Sequence, residues 1–256
     1  MKTSARIAGL GAALLCCAAA PGSGNPYVRV PGNPRFQSAL LGDQAGGVAV
    51  ADFAMQDHPV TNAEFATFVA AHPEWRRGAV APLFADSAYL THWQSLDAPG
   101  EPLAGQPVTR VSWFAAEAYC EAQDARLPTW AEWELAAAAD TTQQDARGDP
   151  AWRQAVLDWY SRPAGALALV RQSPANVYGL HDLHGLVWEW VQDANSLMSS
   201  DEAQKFCGGG ALTLRQKENF AVLMRVATLT SLKPADTTRS LGFRCALGFR
   251  CARGLS

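Results

Sequence analysis

The sequence predicts a single α+β domain in which loops connect short helices and strands. Three segments with helical periodicity lie within residues 61–139, whereas the second half of the chain is rich in tryptophan and turn residues. The 21 glycines and 15 prolines among 256 residues favour turns over long helices. A chain of this length suits one large domain or two small ones, and no low-complexity linker divides it. We therefore predict one loop-rich domain.

Each of the three predicted helices starts at a hydroxyl residue that can accept a hydrogen bond from the first turn. The helices are predicted over residues 61–72, 112–124 and 129–139, with Thr61, Ser112 and Thr129 as caps. Glu64 and Glu132 lie three residues after their caps, which is the capping-box spacing. Residues 46–55 alternate in the manner of one strand. Residues 140–256 show few helical periods, so we expect mostly turns and loops there.

The N-terminus is typical of an export signal. Lys2 and Arg6 form a positive n-region before an apolar stretch of 14 residues, 7–20, which is too short to span a bilayer permanently. Small residues follow, as cleavage requires. We predict a signal peptide over residues 1–20 and an exported, periplasmic protein.

Two alternatives to simple cleavage stay open. Cys16 or Cys17 could be lipidated, although Leu14 and Leu15 stand where a lipoprotein signal usually has small residues. We expect attachment to a membrane only if one of these cysteines is lipidated. The other alternative is an N-terminal helix buried in the fold.

Composition narrows the classes of partner. The net charge is −3 and the pI is about 5.9, and no basic stripe is visible, so no nucleic-acid partner is predicted. Of the six cysteines, four lie beyond the predicted signal. An even number of cysteines in an exported protein indicates disulfides.

Four segments occur in order along the chain: residues 58–69, 107–137, 176–193 and 241–246. Together they resemble the sulfatase-modifying-factor family, also called formylglycine-generating-enzyme-like. The resemblance covers roughly residues 45–246 and implies a variant of the C-type-lectin fold with little regular secondary structure. Residues 21–44 are then an N-terminal extension. Residues 247–256 are a tail, since 247–252 repeat the six residues before them.

A narrower resemblance points to an exported branch of this family. It rests on residues 84–93, 179–190, 206–212 and 231–244. Members of that branch are often associated with copper nitrite reductase or with copper-delivery proteins. The resemblance therefore implies a periplasmic protein or peptide partner.

The segment GLHDLHGLVWEWVQD, residues 179–193, contains the main candidate metal ligands. On a straight helix the carboxylates of Asp182 and Glu189 would lie about 10 Å apart along the axis, which is too far for one small cation. If the segment loops, they can converge on Ca²⁺, which prefers oxygen ligands. The family resemblance implies such a site, completed by the carbonyls of Gly185 and Val187. The alternative is that Glu189 is a buried carboxylate paired with a backbone N–H or an arginine.

Two histidines in the same segment are weaker metal candidates. His181 and His184 are spaced so that a helix would place them on one face, where they could bind Zn²⁺ or Cu²⁺. The alternative is that both are ordinary hydrogen-bonded or surface histidines.

The chemistry that names the family is not expected here. In the family that this chain resembles, formylglycine formation uses a cysteine pair about five residues apart, soon after a glycine-rich motif. That pair binds copper(I) and activates oxygen. Thiolates suit that soft ion. In this chain no cysteine occurs between Gly210 and Cys245, so formylglycine formation is not expected. Cys207, just before the glycines, could be a reactive thiol, a small buried residue, or the partner of Cys251.

The resemblance also implies several structural pairs. Cys120 and Cys245 occupy positions where family members form a disulfide. Arg126, Glu132 and Glu134 are implied as buried structural pairs, with an acid–base role for the two glutamates as the alternative. Arg225 and Arg244 could serve a groove or pair within the core, and the residues alone do not separate these roles.

Three functions follow from these observations. The first is an accessory or binding module for maturation of a periplasmic enzyme, with copper enzymes as candidates. The second is a metal-dependent oxidative enzyme with different chemistry, using copper or iron. The third is a structural envelope lipoprotein.

Overall fold

The computed structural model describes residues 26–40, 46–161, 165–197 and 220–248. The α-helices within these ranges are α1 (Asn62–Ala71), α2 (Trp113–Glu121), α3 (Trp130–Ala137), α4 (Pro150–Tyr160) and α5 (Phe220–Thr230). The strands are β1 (Tyr27–Val30), β2 (Asn33–Phe36), β3 (Val48–Val50), β4 (Phe53–Gln56), β5 (Trp188–Glu189), β6 (Leu241–Gly242) and β7 (Ala246–Gly248). Short 3₁₀ turns cover Pro73–Trp75 and Glu101–Leu103.

Strand β4 is the centre of the largest sheet, which has the antiparallel order β1-β4-β7. All four of its residues are buried, as expected for a strand with neighbours on both edges. Strands β2 and β3 form a second antiparallel pair, and β5 and β6 form a parallel pair of two residues each. Short strands and helices joined by long loops confirm the predicted α+β, loop-rich domain.

The predicted helix starts are confirmed. The hydroxyls of Thr61, Ser112 and Thr129 each accept a backbone hydrogen bond from their first turn. Glu64 and Glu132 complete both capping boxes by bonding back to the cap residue. Replacing one such cap by alanine typically costs about 1 kcal/mol. Helix α3 is buried along its whole length, so its carboxylates need internal partners.

An aromatic core joins α1 to α2 and to the chain after β6. Phe65 packs on Phe68, Tyr119, Trp93 and Phe243, with ring centroids between 5.4 and 6.2 Å apart. Each fully buried aromatic side chain contributes about 1.5–3 kcal/mol relative to exposure. This cluster fixes the first half of the chain against the last described strands.

The disulfide between Cys120 and Cys245 is confirmed. It links α2 to the segment between β6 and β7, and the two cysteines are 125 residues apart. Gln56 at the end of β4 exchanges hydrogen bonds with Cys245: its backbone N–H donates to the Cys245 carbonyl, and its side-chain oxygen accepts from the Cys245 N–H. The bridge therefore closes the last segment onto the central sheet.

Three expectations need correction. Residues 46–55 form two strands in different sheets, because the chain turns at Asp52, whose carboxylate accepts hydrogen bonds from Arg29 and from the backbone of Gly32. Helices α4 and α5 lie in the half expected to be loops. Strands β1 and β2 lie within the supposed extension and β7 runs past residue 246, so the predicted domain limits of 45 and 246 do not coincide with the packed sheets.

Several predicted features lie outside the described residues. They are the signal peptide over residues 1–20, the cysteines Cys16, Cys17, Cys207 and Cys251, and most of the tail. None of the helices in the described ranges is both long and apolar enough to cross a membrane.

The disulfide gives the first testable prediction. Replacing Cys120 and Cys245 together by alanine should lower the free energy of unfolding by about 4–5 kcal/mol, because the bridge closes a long loop in the unfolded chain. Denaturant unfolding followed by tryptophan fluorescence measures this. Cys207→Ala is the control, and a loss below about 1 kcal/mol in the double variant would contradict the expectation.

Candidate functional site

The centre of the 179–193 segment is a buried ion pair between Glu189 on β5 and Arg244 after β6. Both side chains are fully buried, and Nη2 of Arg244 lies 2.7 Å from Oε1 of Glu189. Nε of Arg244 donates to the same carboxylate, 2.9 Å from Oε2. The indole N–H of Trp133 also donates to Oε2, at 2.8 Å. The carboxylate is thus held by an arginine and a tryptophan.

The rest of the Arg244 guanidinium ties three segments together. Nη1 donates to the carbonyl of Gln56 at the end of β4, and Nη2 donates to the carbonyl of His181. Charge-assisted hydrogen bonds of this kind are stronger than neutral ones. One side chain therefore joins the central sheet, the 179–187 loop and the β5–β6 pair.

The parallel pairing of β5 with β6 places these residues side by side. Trp188 is opposite Leu241, and Glu189 is opposite Gly242. A Cβ atom on Gly242 would lie 2.5 Å from the carbonyl oxygen of Val108, so only glycine permits this close approach. The glycine of the GFR sequence thus sets the spacing that brings Arg244 to Glu189.

Asp182 has a different set of partners. Its carboxylate accepts hydrogen bonds from the backbone N–H of Arg171 and from the hydroxyl of Ser173, both at 2.5 Å. The side chain of Arg171 in turn pairs with Asp57, at 2.5 Å. Asp182 therefore fastens the 171–173 segment to the loop, and Arg171 fastens the same segment to the residue that follows β4.

These contacts do not fit the predicted calcium cage. The carboxylate of Glu189 contacts the positive charge of Arg244, and that of Asp182 is engaged by two other donors. A divalent cation beside a buried guanidinium would be repelled. Gly185 is exposed with a φ of 98°, whereas Val187 is buried. The arrangement is the alternative, a buried carboxylate paired with an arginine, and calcium binding stays a prediction that these contacts do not favour.

The two histidines do not converge. The segment from 180 to 187 contains no helix, so the spacing that would align them on one face does not apply. Nδ1 of His181 lies 2.8 Å from the carbonyl of Ser173, whereas Nε2 of His184 lies 2.9 Å from the carbonyl of Ala137. Within the described ranges, no three His, Cys, Asp or Glu side chains are grouped in a way that could hold a metal.

His184 lies instead among aromatic rings that the sequence reasoning missed. Its ring is 5.4–6.5 Å from those of Trp133, Trp152 and Trp159, and Trp159 also contacts Tyr160 and Trp188. We call these five aromatic residues the aromatic cluster. The spacing of Trp152 and Trp159, seven residues apart, was the available signal, because it places both on one face of α4.

Arg225 on α5 also packs against the aromatic cluster, next to Glu189. Its guanidinium lies 3.4 Å from the ring centroid of Trp133, which is a close cation–π contact. Nη2 donates to the backbone carbonyl of Glu189 at 2.6 Å. Burial, with a smaller contribution from the nearby positive charge of Arg225, lowers the pKa of His184 to about 4. His184 is therefore neutral at neutral pH.

The other predicted pairs are structural. Arg126 forms a double hydrogen bond with Glu132, at 2.6 and 2.7 Å. Glu134 accepts from the hydroxyl of Ser38, the N–H of Ala39 and the indole of Trp130. Burial raises the pKa of Glu134, and these hydrogen bonds oppose the rise. The two glutamates have separate partners, which does not favour an acid–base pair.

His184 gives a pH prediction. An unfolded chain binds a proton on this histidine below its ordinary pKa of about 6.5, whereas the folded chain binds it only near pH 4. The unfolded state therefore binds more protons between these values, and stability falls as the pH falls from 6.5 to 4, by about 3 kcal/mol for this one group. Above pH 6.5 its contribution is complete.

The test compares unfolding free energies at pH 7 and pH 4.5. His184→Gln keeps an N–H donor for Ala137 but cannot titrate, so it should lose less stability than the wild-type chain over this range. His72→Gln, at a half-exposed histidine, should behave as the wild type. Equal losses in His184→Gln and wild type would contradict the assignment.

The amino-acid sequence was compared with known protein families and with individual proteins. The model of the sulfatase-modifying factor enzyme 1-like domain matches residues 22–253. Formylglycine-generating enzyme of Mycobacterium tuberculosis is 34% identical over 192 residues, covering 56% of this chain and 64% of that protein. Inactive C-alpha-formylglycine-generating enzyme 2 of Bos taurus is 31% identical over 168 residues, covering 60% and 55%.

A third relative matches over nearly its whole length. Formylglycine-generating enzyme of Streptomyces coelicolor is 29% identical over 293 aligned positions, covering 90% of this chain and 91% of that protein. The chain thus spans between about half and two thirds of the first two relatives and most of the third. Since the family model covers nearly all of the sequence, the chain belongs to the sulfatase-modifying factor enzyme 1-like family.

Proposed function

We propose that this chain is an accessory member of its family that does not make formylglycine. In this proposal it is exported to the periplasm, binds a protein or peptide partner there, and supports the maturation of a periplasmic enzyme. Copper enzymes are the first candidates, because the sequence resembles the exported branch associated with them.

The observation that carries the proposal is the lack of cysteine between Gly210 and Cys245. A copper(I) oxidase site of this family needs two thiolates in that interval, and nitrogen or oxygen ligands are poor substitutes for a soft cuprous ion. The relative from Bos taurus is named as an inactive formylglycine-generating enzyme. This chain would be a second example of a family member without that activity.

The retained framework supports a binding role. The Glu189–Arg244 pair and the Cys120–Cys245 bridge rigidly hold the loops that follow β4 and precede β5. Rigid elements that present loops are a common basis for binding, because less conformational entropy is lost when the partner docks. A framework kept without the oxidase thiols is what an accessory protein requires.

The first test is chemical. Purified, copper-loaded protein incubated with a cysteine-containing sulfatase peptide should yield no aldehyde by mass spectrometry, whereas the Mycobacterium tuberculosis relative serves as the positive control. Aldehyde formed by this chain would overturn the proposal.

The second arm of the test concerns partner and location. Deleting the gene in its own host should lower the copper occupancy of periplasmic enzymes, and the full chain should restore it while a chain starting at residue 21 should not. Unchanged occupancy, or rescue by the shortened chain, would contradict the proposal. Tightly bound iron or copper that His184→Ala or Cys207→Ser removes would instead favour the metal-dependent oxidative enzyme.

A further inference from the structure

Arg225 is a buried cation that uses little of its hydrogen-bonding capacity within the part of the chain that the structure describes. It is only 1% exposed, and among the described residues it makes one hydrogen bond, from Nη2 to the carbonyl of Glu189. Its Nε is buried with no partner in that part of the chain. A guanidinium carries five N–H donors, so this group can accept a further ligand.

The charges around Arg225 do not balance within the described ranges. The nearby carboxylate, Glu189, is engaged by Arg244 and by the indole of Trp133. Two guanidinium groups and one carboxylate leave one net positive charge. Burial lowers the pKa of Arg225 to about 10, because a charge without a matching counter-ion is costly in the interior. The site therefore favours a single negative charge.

The surroundings of Arg225 suit an apolar group. One face of its guanidinium lies on Trp133, and His184, whose Nδ1 is also buried without a partner in the described residues, contacts the same indole. Burial raises the pKa of the Tyr160 hydroxyl to about 12, and Arg225 is near enough to oppose that rise. Trp133 of the aromatic cluster therefore covers one face of the guanidinium, and Tyr160 lies within electrostatic range of it.

The aromatic cluster also reaches the surface. Trp159, Tyr160 and Trp188 are partly exposed, and their rings contact one another at 4.6–5.7 Å. A ligand could therefore place an apolar body on these rings while its charged end approaches Arg225. Aromatic side chains with one convergent charged group are typical of small-molecule sites.

We propose that Arg225 and the aromatic cluster form a binding site for a small monocarboxylate with an apolar body. The carboxylate accepts a hydrogen bond from the Nε–H of Arg225 and balances its charge. The apolar body packs on Trp159 and Trp188. Binding at this site requires neither the oxidase reaction nor a protein partner. A negative result for one proposal therefore does not affect the other.

The experiment titrates the purified mature chain at pH 7 with phenylacetate and, separately, with its neutral analogue phenylacetamide. Tryptophan fluorescence and calorimetry give the two dissociation constants. We expect saturable binding of phenylacetate at least tenfold tighter than that of phenylacetamide. Absence of saturable binding, or equal affinities for the two compounds, would overturn the proposal.

Matched variants locate the binding. Arg225→Gln should weaken phenylacetate at least tenfold and remove the preference for the charged compound, whereas Arg76→Gln, at a half-exposed arginine, should bind as the wild type. If Arg225→Gln does not fold by circular dichroism, Trp159→Ala tests the apolar wall and should weaken both compounds several-fold. Wild-type binding by Arg225→Gln, or by Trp159→Ala, would contradict the site.

Discussion

The Glu189–Arg244 ion pair is the interaction on which the rest of this structure depends. It lies in the interior, and its hydrogen bonds reach the end of β4, the 179–187 loop and the β5–β6 pair. A buried pair is not by itself evidence of net stability, because desolvation offsets much of the attraction. Its role here is to specify which loops meet. With few strands and helices, the fold needs such contacts to select one arrangement of its loops.

This pair also explains the chemistry around it. Arg244 balances the charge of Glu189, so no metal cation is needed for that purpose. The carboxylate of Asp182 instead accepts hydrogen bonds from the 171–173 segment. Within the described residues, the partners of a second buried arginine, Arg225, are the backbone carbonyl of Glu189 and the rings of Trp130 and Trp133. The same arrangement that argues against a calcium cage therefore leaves a positive charge available beside the aromatic cluster.

Local signals in the sequence predicted local structure well. Both capping boxes depend on residues three positions apart, so Thr61 with Glu64 and Thr129 with Glu132 were readable directly. The Cys120–Cys245 bridge was predicted through the family resemblance, not from the residues alone. Helix α4 was missed because the turn signals of the second half outweighed the Asp149 cap and the spacing of Trp152 and Trp159.

Non-local pairings could not be read from the sequence. Strands β1 and β2 are four residues each, and what makes them strands is pairing with β4 and β3, which a local pattern does not encode. The ion pair joins residues 55 positions apart, and the sequence offered both an arginine and a calcium ion as partners for Glu189. The aromatic cluster likewise depends on α4 folding back onto the loop that contains His184.

The most direct measurement is a double-mutant cycle of Glu189→Gln and Arg244→Met, made in the presence of a calcium chelator. Each single variant should lose about 3–5 kcal/mol of unfolding free energy, because it leaves one buried charge without its partner, and the double variant should recover much of that loss. A large coupling free energy would confirm the pair as the centre of the structure. Coupling below about 0.5 kcal/mol would contradict it. A wild-type chain that the chelator destabilises and added calcium restabilises would also contradict it.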